Sequence, residues 1–259
     1  MEVEIVALSR QGGRDYNEDV YGHWNDGRFV ACLVADGAGG HGGGDVAAAT
    51  ARTSVLEGFA RNPTLDPQSL RMLLEQANLD VVARQSQSHA LAAMRTTVVL
   101  AVIDIETNQI ALAHCGDSRG YLFVQGKLHS RTRDHSLVQE MVAGGVLDDE
   151  GARLHPTRNV ILSALGSEDE PLEVGLIGPL PMTPGDALLL CSDGLWEPLG
   201  DAMLIETLQS SPSPGFWLEL LEQRVKMHAK PGHDNYTALT LWAHEVDEVT
   251  RIQTPAVAG

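Results

Sequence analysis

Two apolar runs in this chain end in Asp-Gly: FVACLVADG at 29–37 and DALLLCSDG at 186–194. Apolar runs of that length read as buried strands, so a carboxylate at the mouth of each must find water, a cation or a donor to keep its charge. Asp36 and Asp193 stand at those two mouths. Two such ends in one chain point to a metal site.

The chain has 259 residues, enough for one large domain or two small ones, and its 43% apolar content excludes a disordered chain. Lys and Arg total 18 against 35 Asp and Glu, a formal charge of -17. That field repels nucleic acid and anionic membrane, and it leaves an anionic substrate to be held by local cations, either bound metal or a placed arginine. The three cysteines, Cys32, Cys115 and Cys191, each lie inside an apolar run, as small buried hydrophobes do in a reducing compartment. The start MEVEIVALSR is no secretory leader, and no apolar run approaches the roughly 20 residues of a membrane helix. The expectation is a cytoplasmic protein with no nucleic-acid partner and no membrane insertion.

Residues 3–8 read as a strand, followed by the polar loop SRQGGRDYNED. The glycine-rich GAGGHGGG precedes an Ala-rich helix from Asp45, its expected cap, to about Phe59. Asp66-Pro67 is a strong helix start, and Leu70, Leu73, Leu74, Ala77 and Val81 continue at helical spacing to about residue 88. Strands are expected at 97–105, 110–114, 121–124, 172–176, 187–191 and 237–243, joined in the middle by short turns that imply antiparallel pairing. Further helices are expected near 136–143, 200–208 and 215–229. No repeat or linker interrupts this order, so residues 1–246 are read as a single domain and 247–259 as a disordered tail. The pattern lacks regular strand-helix alternation and a phosphate-loop fingerprint, and points to antiparallel sheets covered by helices.

Acidic residues recur in glycine-rich turns close to these runs: Glu18, Asp19, Asp36, Asp117, Asp193 and Asp234. Any one of them is explained as a turn or cap residue. As a set they supply oxygen-only ligation, which favours Mg²⁺ or Mn²⁺ over Zn²⁺. Two ions about 4 Å apart, bridged by one carboxylate, would activate a water for phosphoryl hydrolysis. Arg14, four residues before Glu18, is the natural grip for the phosphate. No HExxH pattern occurs, which argues against a zinc site.

The ordered motifs RDYNED (14–19), VADGAGGH (34–41), TT (96–97), GDSR (116–119), DHS (134–136), HPTRNV with ALG (155–166), CSDGL (191–195) and DNYT (234–237) resemble the metal-dependent PPM-type, or type 2C, protein serine/threonine phosphatases, most of all their compact bacterial members. The resemblance implies an α+β fold, a four-layer α-β-β-α sandwich of two central antiparallel sheets flanked by helices. It implies hydrolysis of phosphoserine and phosphothreonine in proteins by a metal-activated bridging water, without a phosphoenzyme. By position, Asp36 would bridge two Mn²⁺ or Mg²⁺ ions and Gly37 would offer its carbonyl. Asp193 and Asp234 would complete the first site, Glu18 and Asp19 would support the second, and Asp117 would hold a third. Arg14 would grip the phosphate and Asn235 would play a supporting part. Residues 134–158 match a flap beside the cleft. The implied partners are phosphorylated proteins whose phosphates come from a serine/threonine kinase.

Two departures stand out. Ala38 occupies the place where many eukaryotic relatives carry a histidine, and His41 follows three residues later, so no general acid is assigned. Arg95 replaces the usual glycine before the two threonines, making it a candidate phosphate contact. The competing readings are a phosphopeptide-binding module without turnover, which has no need of the full acidic set, and a nuclease, which the charge opposes.

Overall fold

A computed structural model describes residues 1–39, 43–168 and 171–245. His41 and the tail from 247 fall outside them. The strands in chain order are β1 (Glu2–Arg10), β2 (Val20–Asn25), β3 (Phe29–Ala35), β4 (Gly37–Ala38), β5 (Arg95–Thr96), β6 (Val98–Asp104), β7 (Gln109–Cys115), β8 (Arg119–Val124), β9 (Lys127–Arg131), β10 (Gly175–Pro181), β11 (Ala187–Cys191) and β12 (Tyr236–His244). The helices are α1 (Gly44–Arg61), α2 (Pro67–Gln85), α3 (Leu137–Ala143), α4 (Asp149–Leu154), α5 (Asp193–Gln209) and α6 (Pro214–His228). One antiparallel sheet runs β1-β12-β11-β8-β9 and the other β10-β7-β6-β3-β2. The expected four-layer α-β-β-α sandwich is thus the architecture found.

Successive residues of the central strands enter different cores, because side chains alternate across a pleated strand. In β3, Val30, Cys32 and Val34 face the other sheet, where Leu188, Leu190, Leu239 and Leu241 meet them. Their neighbours Ala31, Leu33 and Ala35 pack under Ala47, Ala51 and Val55 of α1 and join Leu70, Leu74 and Ala77 of α2 in one core. On the opposite sheet, Leu189, Cys191 and Ala238 pack with Leu204 of α5 and with Trp217 and Leu221 of α6. Both faces of each central strand are buried, which is why the sequence shows unbroken apolar runs. Cys32, Cys115 and Cys191 lie in three separate cores, so they cannot pair, and burial pushes the Cys32 and Cys115 thiols up to about 12. No helix among the described residues is long and apolar enough to cross a membrane.

Several element boundaries differ from expectation. Helix α1 is not capped by Asp45; Gly43 holds the N-cap position at φ 99°, and Asp45 lies in the first turn. Asp66 does cap α2, accepting the Ser69 N–H at 2.8 Å, but that helix stops at Gln85. The strand expected at 172–176 starts at Gly175 and runs to Pro181. Most consequential for the site, the helix expected near 200–208 begins at Asp193 and breaks at Gly200, whose φ is 69°. Asp193 therefore opens a helix instead of closing a strand.

Leu190 joins the sheet-to-sheet core three residues before Asp193. Leu190→Ala is expected to cost about 3 kcal/mol of stability through lost burial and the cavity left behind. The shift in the guanidinium midpoint measures it.

Candidate metal centre and cleft

The six acids come from separate parts of the chain that meet at one edge of the sandwich. Glu18 and Asp19 lead into β2, Asp36 joins β3 to β4, Asp117 turns β7 into β8, Asp193 opens α5, and Asp234 precedes β12. The order of the strands brings them together, since β2 and β3 are neighbours in one sheet and β11 and β12 in the other. Asp193 gains from its position, because the first turn of a helix favours negative charge. Gly194 allows this approach: a Cβ there would lie 2.0 Å from the Asn235 carbonyl oxygen. A Cβ on Gly37 would likewise strike the Gly44 carbonyl at 2.1 Å.

These carboxylates strain one another. Desolvation holds Asp36 well above the usual carboxylate range, and the charges of Asp19, Asp193, Asp117 and Asp234 push it further. Asp193 is raised by desolvation and then by Asp117, Asp234, Asp19 and Glu197. Burial takes Asp19 up to about 6 against hydrogen bonds from Ser192 and Thr237. Asp117 goes up to about 7 by burial and the charge of Asp134, opposed by Arg119. Glu18 is raised by desolvation, while the N-terminus of α1 at Gly44 works the other way.

Three buried oxygens here, Glu18 Oε1, Asp19 Oδ1 and Asp193 Oδ1, have no hydrogen-bond partner. Buried acceptors left unpaired are costly, and a cation is what would satisfy several acidic ones at once. Among the described residues no three acidic, His or Cys side chains are already drawn into one cage. Hard divalent ions do not need one, since they retain waters and accept backbone carbonyls such as that of Gly37. The donor set is all oxygen and fits Mg²⁺ or Mn²⁺.

Small polar residues that carry no spacing signal hold these acids in place. Asn235, only 4% exposed, accepts the Glu18 N–H at 2.9 Å through Oδ1 and donates through Nδ2 to the carbonyls of Gln11 at 2.7 Å and Tyr16 at 2.9 Å. It ties the acidic loop to the start of β12. Ser192 donates to Asp19 at 2.7 Å and accepts the Thr237 N–H at 2.9 Å. The Asp36 backbone is bracketed by Thr96 and Thr97, and the Thr97 hydroxyl meets that of Ser118, beside Asp117, at 2.6 Å. Trp196 donates its indole N–H to the Asp117 carbonyl at 3.0 Å. Arg119 lies 3.4 Å over the Trp196 ring and forms a two-pronged buried pair with Asp134.

Arg14 is exposed and reaches Asp234 at 2.5 Å through Nη2; its other guanidinium nitrogens have no acceptor among the described residues. Arg95 lies opposite Ala38 in the β4-β5 ladder and donates to the Met94 carbonyl at 3.0 Å. The rings of His114 and His135 stack with their centroids 4.7 Å apart, and His135 Nδ1 accepts the N–H of Gly116, the residue before Asp117. A cleft of about 400 Å³ opens beside Arg14, Asp193 and Asp234, and part of its wall is Arg153, Leu154 and Arg158. That part belongs to the stretch expected to act as a flap, built from α3 and α4 around Gly145, which has φ 71°.

An all-oxygen acidic cluster beside an open cleft, at the edge of a two-sheet sandwich, is what this geometry defines. Residues 9–238 match the family described as Protein phosphatase 2C, and the chain belongs to that family. It is 33% identical over 232 residues to the serine/threonine phosphatase stp of Listeria monocytogenes, covering 87% of this chain and 90% of that protein. The crystal structure of the Mycobacterium tuberculosis serine/threonine phosphatase PstP/Ppp superposes with a TM-score of 0.76 at 31% identity, over 94% of this chain and 99% of that one. The catalytic domain of PstP in complex with two manganese ions matches at 29% identity and a TM-score of 0.75, again over 94% of this chain and 99% of that one.

Two outcomes test the site. Asn235→Ala is expected to cost about 2–4 kcal/mol of stability and to weaken Mn²⁺ binding roughly 10- to 100-fold, read by thermal unfolding and by titration. The second concerns pH. Because Asp19 and Asp117 sit near 6 and 7 when folded, above the ordinary 3.8, the folded chain binds more protons in that window and loses stability as pH rises through it. Manganese favours the ionised forms, so the rise in Tm on adding it should be larger at about pH 7.5 than at about pH 5.5. Differential scanning fluorimetry reads both increments.

Proposed function

We propose that this protein serine/threonine phosphatase hydrolyses phosphoserine and phosphothreonine esters in proteins with Mn²⁺ or Mg²⁺ held by the acidic cluster. The observation that carries the reading is the group of mutually strained carboxylates, with orphaned buried oxygens, beside an exposed arginine on an open cleft. Such a cluster is costly without cations and useful with them. The manganese reported with the PstP catalytic domain supports the choice of ion.

Asp36 is the proposed bridging ligand, with Asp193, Asp234 and the Gly37 carbonyl toward the first ion and Glu18 and Asp19 toward the second. Asp117 is the proposed holder of a third. When bound, the ions supply Lewis acidity that turns water into a nucleophile at neutral pH and offsets the charge on the phosphoryl oxygens. Arg14 is tethered through one nitrogen to Asp234, which leaves its remaining N–H groups to orient the phosphoryl group for in-line attack. The Ser118 hydroxyl beside Asp117 is buried against that of Thr97 and Ser192 donates to Asp19, so neither is free to attack, which supports direct attack by water and no phosphoenzyme. Arg95, beside Ala38, is a further proposed phosphate contact, tested by the Michaelis constant of Arg95→Gly.

The partners are proteins carrying phosphoserine or phosphothreonine, hence the products of a serine/threonine kinase. The three buried, unpaired thiols support a reducing, cytoplasmic setting.

Release of phosphate from a phosphothreonine peptide should require manganese. Asp36→Asn and Asp193→Asn should each lower kcat on the order of 10³-fold. Arg14→Ala should lower kcat/KM roughly 30-fold, the worth of a charge-assisted hydrogen bond. Binding of the peptide without turnover at saturating manganese would contradict the reading and favour a binding module.

A further inference from the structure

The cleft beside the acids reverses the charge of the chain. Although Asp and Glu outnumber Lys and Arg by 35 to 18 overall, four cations line this cleft: Arg14, Arg153, Arg158 and Lys230. The carboxylates on its wall are Asp193, Asp234 and Glu197, the first two of them proposed metal ligands. Glu197 is engaged, since its side chain pairs with Arg158 and its carbonyl accepts from Arg153 at 2.6 Å, and Arg153 also forms a two-pronged pair with Glu150 at 2.6 and 2.9 Å. Lys230 is exposed and has no ion pair among the described residues. Leu154, 65% exposed, also lines the cleft.

We propose that this cleft binds acidic residues flanking the phosphorylated serine or threonine of the substrate protein, with Lys230, Arg153 and Arg158 as the recognising cations. The proposal rests on the phosphatase reading above. Arg14 lines the same cleft as Lys230, Arg153 and Arg158, so a phosphoryl group gripped by Arg14 places the adjoining peptide along it. An extended peptide advances about 3.3 Å per residue, so two or three residues on either side of the phosphorylated one span roughly 7–10 Å of the cleft. In a chain of charge -17, an acidic substrate is repelled everywhere else, so a local cationic wall decides its placement. A basic flank would meet the unpaired charge of Lys230 there, whereas Arg153 and Arg158 are already paired with Glu150 and Glu197.

The test compares kcat/KM, in saturating manganese, for three phosphothreonine peptides that differ only in having glutamate, alanine or lysine at the two positions on each side. The expected order is glutamate, then alanine, then lysine, with about a tenfold gap between the first two, as two or three exposed ion pairs would give. The gap should shrink in 0.5 M NaCl. Lys230→Gln should reduce the glutamate-to-alanine ratio about threefold and Lys230→Glu about fivefold or more. Each ratio is taken on a single preparation, so a loss of folded enzyme cancels. Equal kcat/KM for the three peptides, a preference for lysine flanks, or a ratio untouched by Lys230→Glu overturns the inference and leaves the phosphatase reading standing. No turnover of any peptide overturns both.

Discussion

Repulsion among buried carboxylates is the constraint on which this structure turns. Burial raises the proton affinity of Asp19, Asp36, Asp117 and Asp193 where the two sheets end, and neighbouring charges add to it: Asp19, Asp193, Asp117 and Asp234 at Asp36, Asp117 and Asp234 at Asp193, Asp234 at Asp19, and Asp134 at Asp117. A fold does not keep such a group without a compensating cation or a compensating function. The rest of the edge is organised to hold the acids together despite that repulsion. Asn235 ties the 11–18 loop to β12, Ser192 binds Asp19 across the sheet, and Thr97 with Ser118 links the Asp36 and Asp117 turns. These groups are neutral, so they fix geometry without satisfying the charge.

The sandwich makes this convergence possible. Each central strand is buried on both faces, and the sequence between the apolar runs is left to form turns at the strand ends. Because the acids come from both sheets, the cluster depends on the packing between the sheets as well as on its own hydrogen bonds. The cations of the cleft come from the segment between β9 and β10 and from the loop before β12, which also carries Asp234.

Much of this was legible in the sequence, and the failures have physical causes. The run ending at Asp36 reads correctly as a buried strand because a strand covered on both faces has no polar alternation. Asp193 misreads as a strand end because Gly194, Pro198 and Gly200 disguise the helical period of the segment that it opens. The strand β2, VYGHWN, escapes because it is an edge strand whose polar residues interrupt the pattern. Strand β10 is displaced because Gly178-Pro179 inside it looks like a turn. The acids themselves were found by their glycine-rich surroundings and by the ordered motifs. Ser192, Thr97 and Trp196 carry no periodicity or charge pattern, so their roles emerge only from the contacts they make.

The central claim is that the cluster is built around divalent cations and that Asp36 is common to them. Isothermal titration of Mn²⁺ near pH 7, repeated in buffers of different ionisation enthalpy, tests it most directly. The account predicts at least two bound ions with net proton release, as raised carboxylates give up their protons to the metal, and loss of more than one ion in Asp36→Asn. Binding without proton release, or the same stoichiometry in Asp36→Asn, would contradict it.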